Sequence, residues 1–273
     1  MDKSLIKQDS YSNPVNDLNF IDHFVFNLKF LLFIIMTIPL ILMCLCLGNF
    51  FTQVRNYLPT IFHKLLLWLV SVKIQIEGDI ERAKDCNLFI SNHVSYLDIP
   101  ILGSNFPIRF VAKSEVASWA LFGFLAKLAG TIFIKRNRHD TLSQKHKIKN
   151  YLSLKERVLI FPEGTTSDGN RVLDFKSNSF SAVEGENFLI QPITILYSEI
   201  NGIPINRWLK PVIAWYGDME LQPHLSTLVG LRSIKVKLIF SDPVKSKLFS
   251  NRKDLSLYLE KIIKTNYTSA LSK

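Results

Sequence analysis

Cysteine is scarce in this sequence, with three among 273 residues. Cys44 and Cys46 share one apolar run and Cys86 lies far away, so no disulfide framework braces the fold. All three read as reduced thiols. Glycine and proline number 11 each, which excludes a collagen-like or low-complexity chain. The six histidines, at 23, 63, 93, 139, 146 and 224, show no ligand spacing with Cys, Asp or Glu. No metal site is therefore expected. Internal repeats and linkers are also missing. Acidic charge is short: 23 Asp and Glu stand against 33 Lys and Arg, a formal net charge of +10.

Apolar residues, by contrast, are plentiful at 48% of the chain. That much apolar surface excludes global disorder. Basic charge beside high hydrophobicity points to an apolar segment joined to a basic folded part, as in an enzyme working at a membrane surface. Nucleic acid is the rival partner for the charge.

The apolar residues concentrate in Phe30–Leu47, a run without a single charge. At about 1.5 Å per residue such a run approaches the thickness of a bilayer core. A buried core helix is the competing reading. Acidic Asp2, Asp9, Asp17 and Asp22 precede the run where a cleaved signal would carry basic residues. Pro39 is expected to kink the helix, so a full span and a re-entrant hairpin both fit. A second apolar stretch, Ile61–Val70, carries His63 and Lys64 and is too short to cross; it reads as an interfacial or packed helix.

Residues 1–52 thus form an N-terminal region with a membrane anchor, and residues 53–273 suffice for one catalytic domain. Strands are expected at Val72–Glu77, Asn87–Ser91, Ile108–Ala112, Thr131–Ile134, Val158–Phe161, Phe188–Ile193, Val212–Tyr216 and Ile234–Phe240. Helices are expected at Tyr96–Leu102, Val116–Ala129, Thr141–Ser153 and Asp254–Thr265. This alternation predicts an α/β fold, with a mostly parallel or mixed central sheet flanked by helices.

Three blocks carry chemistry. In Ser91-Asn92-His93-Val94-Ser95-Tyr96-Leu97-Asp98, an apolar strand ends at a histidine suited to proton transfer. Asp98 orients it only if the chain turns after His93 and a helix starts near Ser95. A surface histidine followed by a capping serine fits the spacing equally. The second block, Phe161-Pro162-Glu163-Gly164-Thr165-Thr166-Ser167, follows a strand and can cradle a phosphate or an oxyanion; it is also an ordinary surface turn. In the third, Gly130-Thr131-Ile132-Phe133-Ile134-Lys135-Arg136, a strand delivers two adjacent cations. Lys135, Arg136, Arg138, Lys145, Lys147 and Lys149 face one acid, Asp140, between positions 130 and 150. A solvated helix face is the common meaning of such a run; here it holds half of the net charge, which favours a phosphate or anionic lipid. No aromatic residue interleaves with Lys135–Lys149, which argues against nucleic acid.

These blocks, followed by Gln191-Pro192-Ile193, resemble in order the glycerolipid acyltransferase family that includes 1-acyl-glycerol-3-phosphate acyltransferases. The resemblance covers roughly Val72–Val244. It implies acyl transfer from acyl-CoA or acyl carrier protein to the hydroxyl of a lysolipid, with 1-acyl-sn-glycerol-3-phosphate as the leading acceptor and phosphatidic acid as product. It implies no resident cofactor. It makes His93 the base and Asp98 its orienting partner. Lys113, Lys135, Arg136, Glu163, Gly164, Thr165 and Lys176 fall at acceptor-contacting positions. The implied location is the membrane, the inner membrane if the source is bacterial, with the catalytic domain on the cytoplasmic side. One departure stands out. Thr166 occupies a place where many lysophosphatidic acid enzymes have arginine. The stretch EGTTSDGNRVLDFKS, with Trp215–Glu220 and Pro223-His224, looks like a subgroup that includes acyltransferases for other lysolipids such as lyso-ornithine lipid.

Overall fold

The computed structural model describes residues 20–47, 52–135 and 141–272. Arg136 and Arg138 lie outside the described residues. The chain opens with α1 (Phe20–Leu47), a continuous helix that passes through Pro39. Its segment Phe24–Leu47 has a mean hydropathy of 2.9, and only 6% of that window is buried, which excludes the core-helix reading. It is a candidate membrane segment, long and apolar enough to cross a bilayer. The next helix, α2 (Thr52–Leu69), runs back along it, with Phe33 and Phe62 meeting edge to face at 6.2 Å. The apolar stretch at 61–70 is thus the end of a longer helix.

Among the described residues a nine-stranded mixed sheet follows, built from β1 (Val72–Gly78), β2 (Leu88–Ser91), β3 (Arg109–Lys113), β4 (Ile132–Ile134), β5 (Val158–Ile160), β6 (Leu189–Ile200), β7 (Ile203–Pro204), β8 (Ile234–Phe240) and β9 (Val244–Lys245). The main order is β1-β8-β6-β2-β5-β3-β4. Strands β6, β2, β5, β3 and β4 run parallel, and β8 is antiparallel to β6. Successive side chains of β2 point to opposite faces. Phe89 therefore enters one core, with Ile101 and Leu102 of α3 (Asp98–Gly103) and Leu228 of α7 (Leu221–Gly230). Leu88 and Ile90 enter the other, with Ile148 and Leu152 of α5 (Thr141–Ser153). That core also takes Leu255, Leu259, Ile263 and Tyr267 of α8 (Arg252–Leu271), a stripe with the four-residue spacing of one helix face. Helices thus cover both sides of the sheet.

One expected strand is overturned. Val212–Tyr216 falls at a short helix, α6 (Lys210–Ile213), and the extended residues after it. Pro211 has no N–H to give to a sheet ladder, and its fixed φ suits a first helical turn. Helix α7 was not expected, and β6 runs seven residues past Ile193. The expected helix at Val116–Ala129 divides into a 3₁₀ turn (Ser114–Ser118) and α4 (Ala120–Leu128), with Trp119 extended between them.

Candidate active site

The site forms where parallel strands end together. Register aligns Asn92 after β2, Pro162 after β5, Lys113 at the end of β3 and Ile134 of β4 on one line across the sheet. At about 4.8 Å between strands, Lys113 lies two strands, about 10 Å, from Asn92. Lys135 follows one strand further on. Both lysines are exposed. Ligands in open α/β sheets sit at such carboxyl ends.

Asn92 sets where the chain leaves the sheet. Fully buried, its side chain donates to Ile195 O at 3.0 Å and accepts from Ile195 N at 2.9 Å, extending the β2–β6 pairing with side-chain atoms. His93 comes next, at the opening. The chain then turns, and Asp98 begins α3. Asp98 is fully buried. One carboxylate oxygen accepts from His93 Nδ1 at 2.8 Å, Val94 N at 2.7 Å and Ser95 N at 3.0 Å. The other accepts from Tyr197 Oη at 2.6 Å. Of the two readings of this spacing, the structure adopts the pair. With Nδ1 as donor to Asp98, Nε2 is the nitrogen that can take a proton.

The second block locks onto the first. Phe161 stacks on the His93 ring at 3.9 Å, with planes 10° apart. Ser167 N donates to His93 O at 2.8 Å. Glu163 is buried, and its oxygens accept from His93 N at 2.6 Å and Leu173 N at 2.8 Å. Gly164 has φ +72, a left-handed conformation that glycine adopts without penalty, and its N–H closes the turn onto Phe161 O at 3.0 Å. Among the described residues the N–H groups of Thr165 and Thr166 have no such partner. The exposed Lys176 is tied to the same turn through its backbone N–H on Pro162 O at 2.9 Å. The structure thus joins His93, Asp98, Glu163, Gly164, Thr165 and Lys176 at the carboxyl end of the sheet, with Lys113 and Lys135 at neighbouring strand ends.

Tyr197 and Phe161 were missed as functional positions. Their signal was available: Tyr197 is a hydroxyl inside a buried apolar strand, and a buried hydroxyl needs a partner. Cys86 offers no nucleophile. It is 1% exposed, and burial pushes its thiol up to about 12. Among the described residues no group of three His, Cys, Asp or Glu side chains is placed to hold a metal ion.

Burial pushes the Glu163 carboxyl up to about 8, against the two backbone N–H groups that pull it down. In the unfolded chain it titrates near 4.5. Between these values the folded state keeps a proton that the unfolded state has lost. This group's contribution to stability therefore falls as pH rises from about 4.5 to about 8, by at most about 1.4 kcal/mol per pH unit. Glu163→Gln removes that slope and sets an amide N–H₂ against one of the two N–H donors, costing about 1–3 kcal/mol. Denaturant midpoints in detergent at pH 5 and pH 8, measured for both proteins, check this. Equal slopes would contradict it.

A family profile described as Acyltransferase matches residues 72–196. The chain is 36% identical over 226 residues to the lyso-ornithine lipid O-acyltransferase of Rhizobium meliloti (strain 1021), covering 80% of this chain and 76% of that one. The chain belongs to the acyltransferase family. It is an O-acyltransferase by that membership. The lyso-ornithine lipid O-acyltransferase of Brucella abortus (strain 2308) is 35% identical, covering 80% of this chain and 84% of its own. A 1-acyl-sn-glycerol-3-phosphate acyltransferase from Neisseria gonorrhoeae is 31% identical over 154 residues, 56% of this chain and 58% of its own. In fold, the enzyme is similar to the crystal structure of the 1-acyl-sn-glycerophosphate acyltransferase of Thermotoga maritima. The TM-score is 0.69 at 20% identity, over 96% of this chain and 98% of that one.

Proposed function

We propose that the enzyme moves an acyl group from a thioester, acyl-CoA or acyl carrier protein, to the free hydroxyl of a lysolipid. The observation that carries this reading is the His93–Asp98 pair at an opening that a candidate membrane segment accompanies in the same fold. His93 Nε2 takes the hydroxyl proton as the oxygen attacks the thioester carbonyl. The tetrahedral oxyanion is met by the N–H groups of Thr165 and Thr166. Its collapse expels the thiolate, which recovers the proton from His93. Asp98 orients the ring and balances the imidazolium charge. Glu163 acts behind the site, holding the His93 backbone. Lys113, Lys135, Gly164, Thr165 and Lys176 line the acceptor's path, and Arg136, outside the described residues, keeps the acceptor-contacting role that the family resemblance implies. Residues 1–52 anchor the chain, and residues 53–273 carry the catalysis on the cytoplasmic face, where acyl thioesters are made.

Lyso-ornithine lipid is the proposed acceptor. Relatives bearing that name align over 80% of the chain. Thr166, half-buried in the turn, brings no cation for a phosphate. The second reading, 1-acyl-sn-glycerol-3-phosphate to phosphatidic acid, draws support from the Neisseria relative and from the exposed Lys113 and Lys135. One panel separates them: purified full chain, labelled acyl-CoA and several lysolipids, with products resolved by head group. The lyso-ornithine product is expected to exceed the phosphatidic acid product by about tenfold or more. The reverse ratio assigns the second acceptor. Absence of any diacyl product contradicts both.

A further inference from the structure

Helix α4 is inside out for a helix on a soluble domain. Of its nine residues Ala120–Leu128, only Gly123 is buried. Leu121, Phe122 and Phe124 are 44%, 42% and 43% exposed, and Trp119 just before them is 37% exposed. A surface helix ordinarily turns its apolar residues inward. The orientation is fixed: a Cβ on Gly123 would lie 2.6 Å from Ala117 O and 2.7 Å from Val116 O, so the helix rests by its glycine on the preceding 3₁₀ turn. With its glycine inward, Leu121, Phe122 and Phe124 are held outward.

We propose that Trp119–Leu128 is a second membrane-contacting surface, which lies on the same bilayer leaflet as α1 and brackets the catalytic opening. Two observations name the bilayer as occupant. The first is charge. Lys127 lies on the helix itself and Lys113 and Lys135 flank the segment in sequence, all exposed, with Glu115 the one acid between them. Exposed apolar side chains accompanied by lysines suit an anionic interface. The second is continuity with the candidate membrane helix. Trp119 meets Trp215 edge-on at 6.0 Å, and Trp215 meets Tyr96 at 5.9 Å. Trp215 N donates to Val94 O at 3.1 Å, beside His93. Tyr96 Oη bonds His224 Nδ1 of α7 at 2.9 Å, and the carbonyls of Val229 and Leu231 at the end of α7 accept from Lys29 Nζ of α1 at 2.8 and 3.2 Å. Helix α4, through Trp119, and α1, through Lys29 and α7, are therefore both linked to the Trp215–Tyr96–His224 cluster, which hydrogen-bonds to Val94 O next to His93. This inference rests on the lysolipid reading for its purpose: a lipid leaving the leaflet between α1 and α4 meets His93 without crossing water.

The test uses the full chain with Cys44→Ser and Cys46→Ser; the buried Cys86 stays, shielded from label. An environment-sensitive fluorophore is attached at Leu121→Cys and, separately, at Leu248→Cys, a 74% exposed control on another surface. In vesicles of mixed zwitterionic and anionic phospholipid, lipid-borne quenchers are expected to quench the label at position 121 and spare that at 248. Unquenched label at 121 overturns the proposal. In a second arm, Phe122→Glu with Phe124→Glu is expected to lower acylation of vesicle-borne lysolipid by about tenfold or more while transfer to a short-chain monomeric lysolipid stays within about twofold. An equal loss on both acceptors marks the helix as a cover over the site and overturns the proposal. So does wild-type self-association that the double variant abolishes. If wild type acylates no lysolipid, the functional reading fails, and the quenching arm still decides the surface.

Discussion

His93→Ala lowers acyl transfer by about 10²–10⁴-fold and leaves the fold intact. The rate loss follows from geometry. Nδ1 is committed to Asp98 at 2.8 Å, so Nε2 is the nitrogen left to serve as the base in the proposed mechanism. The survival of the fold follows from what remains. Asp98 keeps three donors, Val94 N, Ser95 N and Tyr197 Oη, and is not left as an unpaired buried carboxylate. Asn92 still pins the end of β2 through Ile195. The check is the rate of the purified variant beside its thermal unfolding. Near-normal turnover in a folded variant removes His93 from the mechanism.

Asp98→Asn lowers the rate by about 10²–10⁴-fold as well, for a different reason. Val94 N and Ser95 N both donate to the oxygen that His93 shares. An amide N–H₂ there would oppose two N–H groups, so the asparagine oxygen takes that place. The amide nitrogen then faces Tyr197 Oη, which can turn to accept. The His93 tautomer is preserved, and what disappears is the negative charge that balances the imidazolium. An unchanged rate in the folded variant would count against the pair.

The strand ends carrying the site were readable because each motif follows a short apolar run, and such runs form buried parallel strands. The His93–Asp98 pair was half readable. Five residues do not share a helix face, and only the turn between Val94 and Leu97 brings the two together. What fixes that turn is remote in sequence: Glu163 and Ser167 hold both backbone groups of His93, and Tyr197 reaches Asp98 from β6. No local pattern encodes such contacts. The assignment of Val212–Tyr216 as a strand followed its β-forming residues and overlooked Pro211, whose missing N–H suits a helix start. The apolar excess was located correctly in α1, but a smaller share sits on α4, where Gly123 reverses the face that periodicity alone would assign.

The central claim is direct transfer to a hydroxyl that His93 activates. The most direct measurement follows labelled acyl thioester with purified enzyme in vesicles, with lysolipid, without it, and with a lysolipid whose hydroxyl is methylated. The account predicts label in diacyl lipid in step with thiol release, and neither in the other two mixtures. Label on the protein, or released as free acid at the same rate in all three, would contradict it.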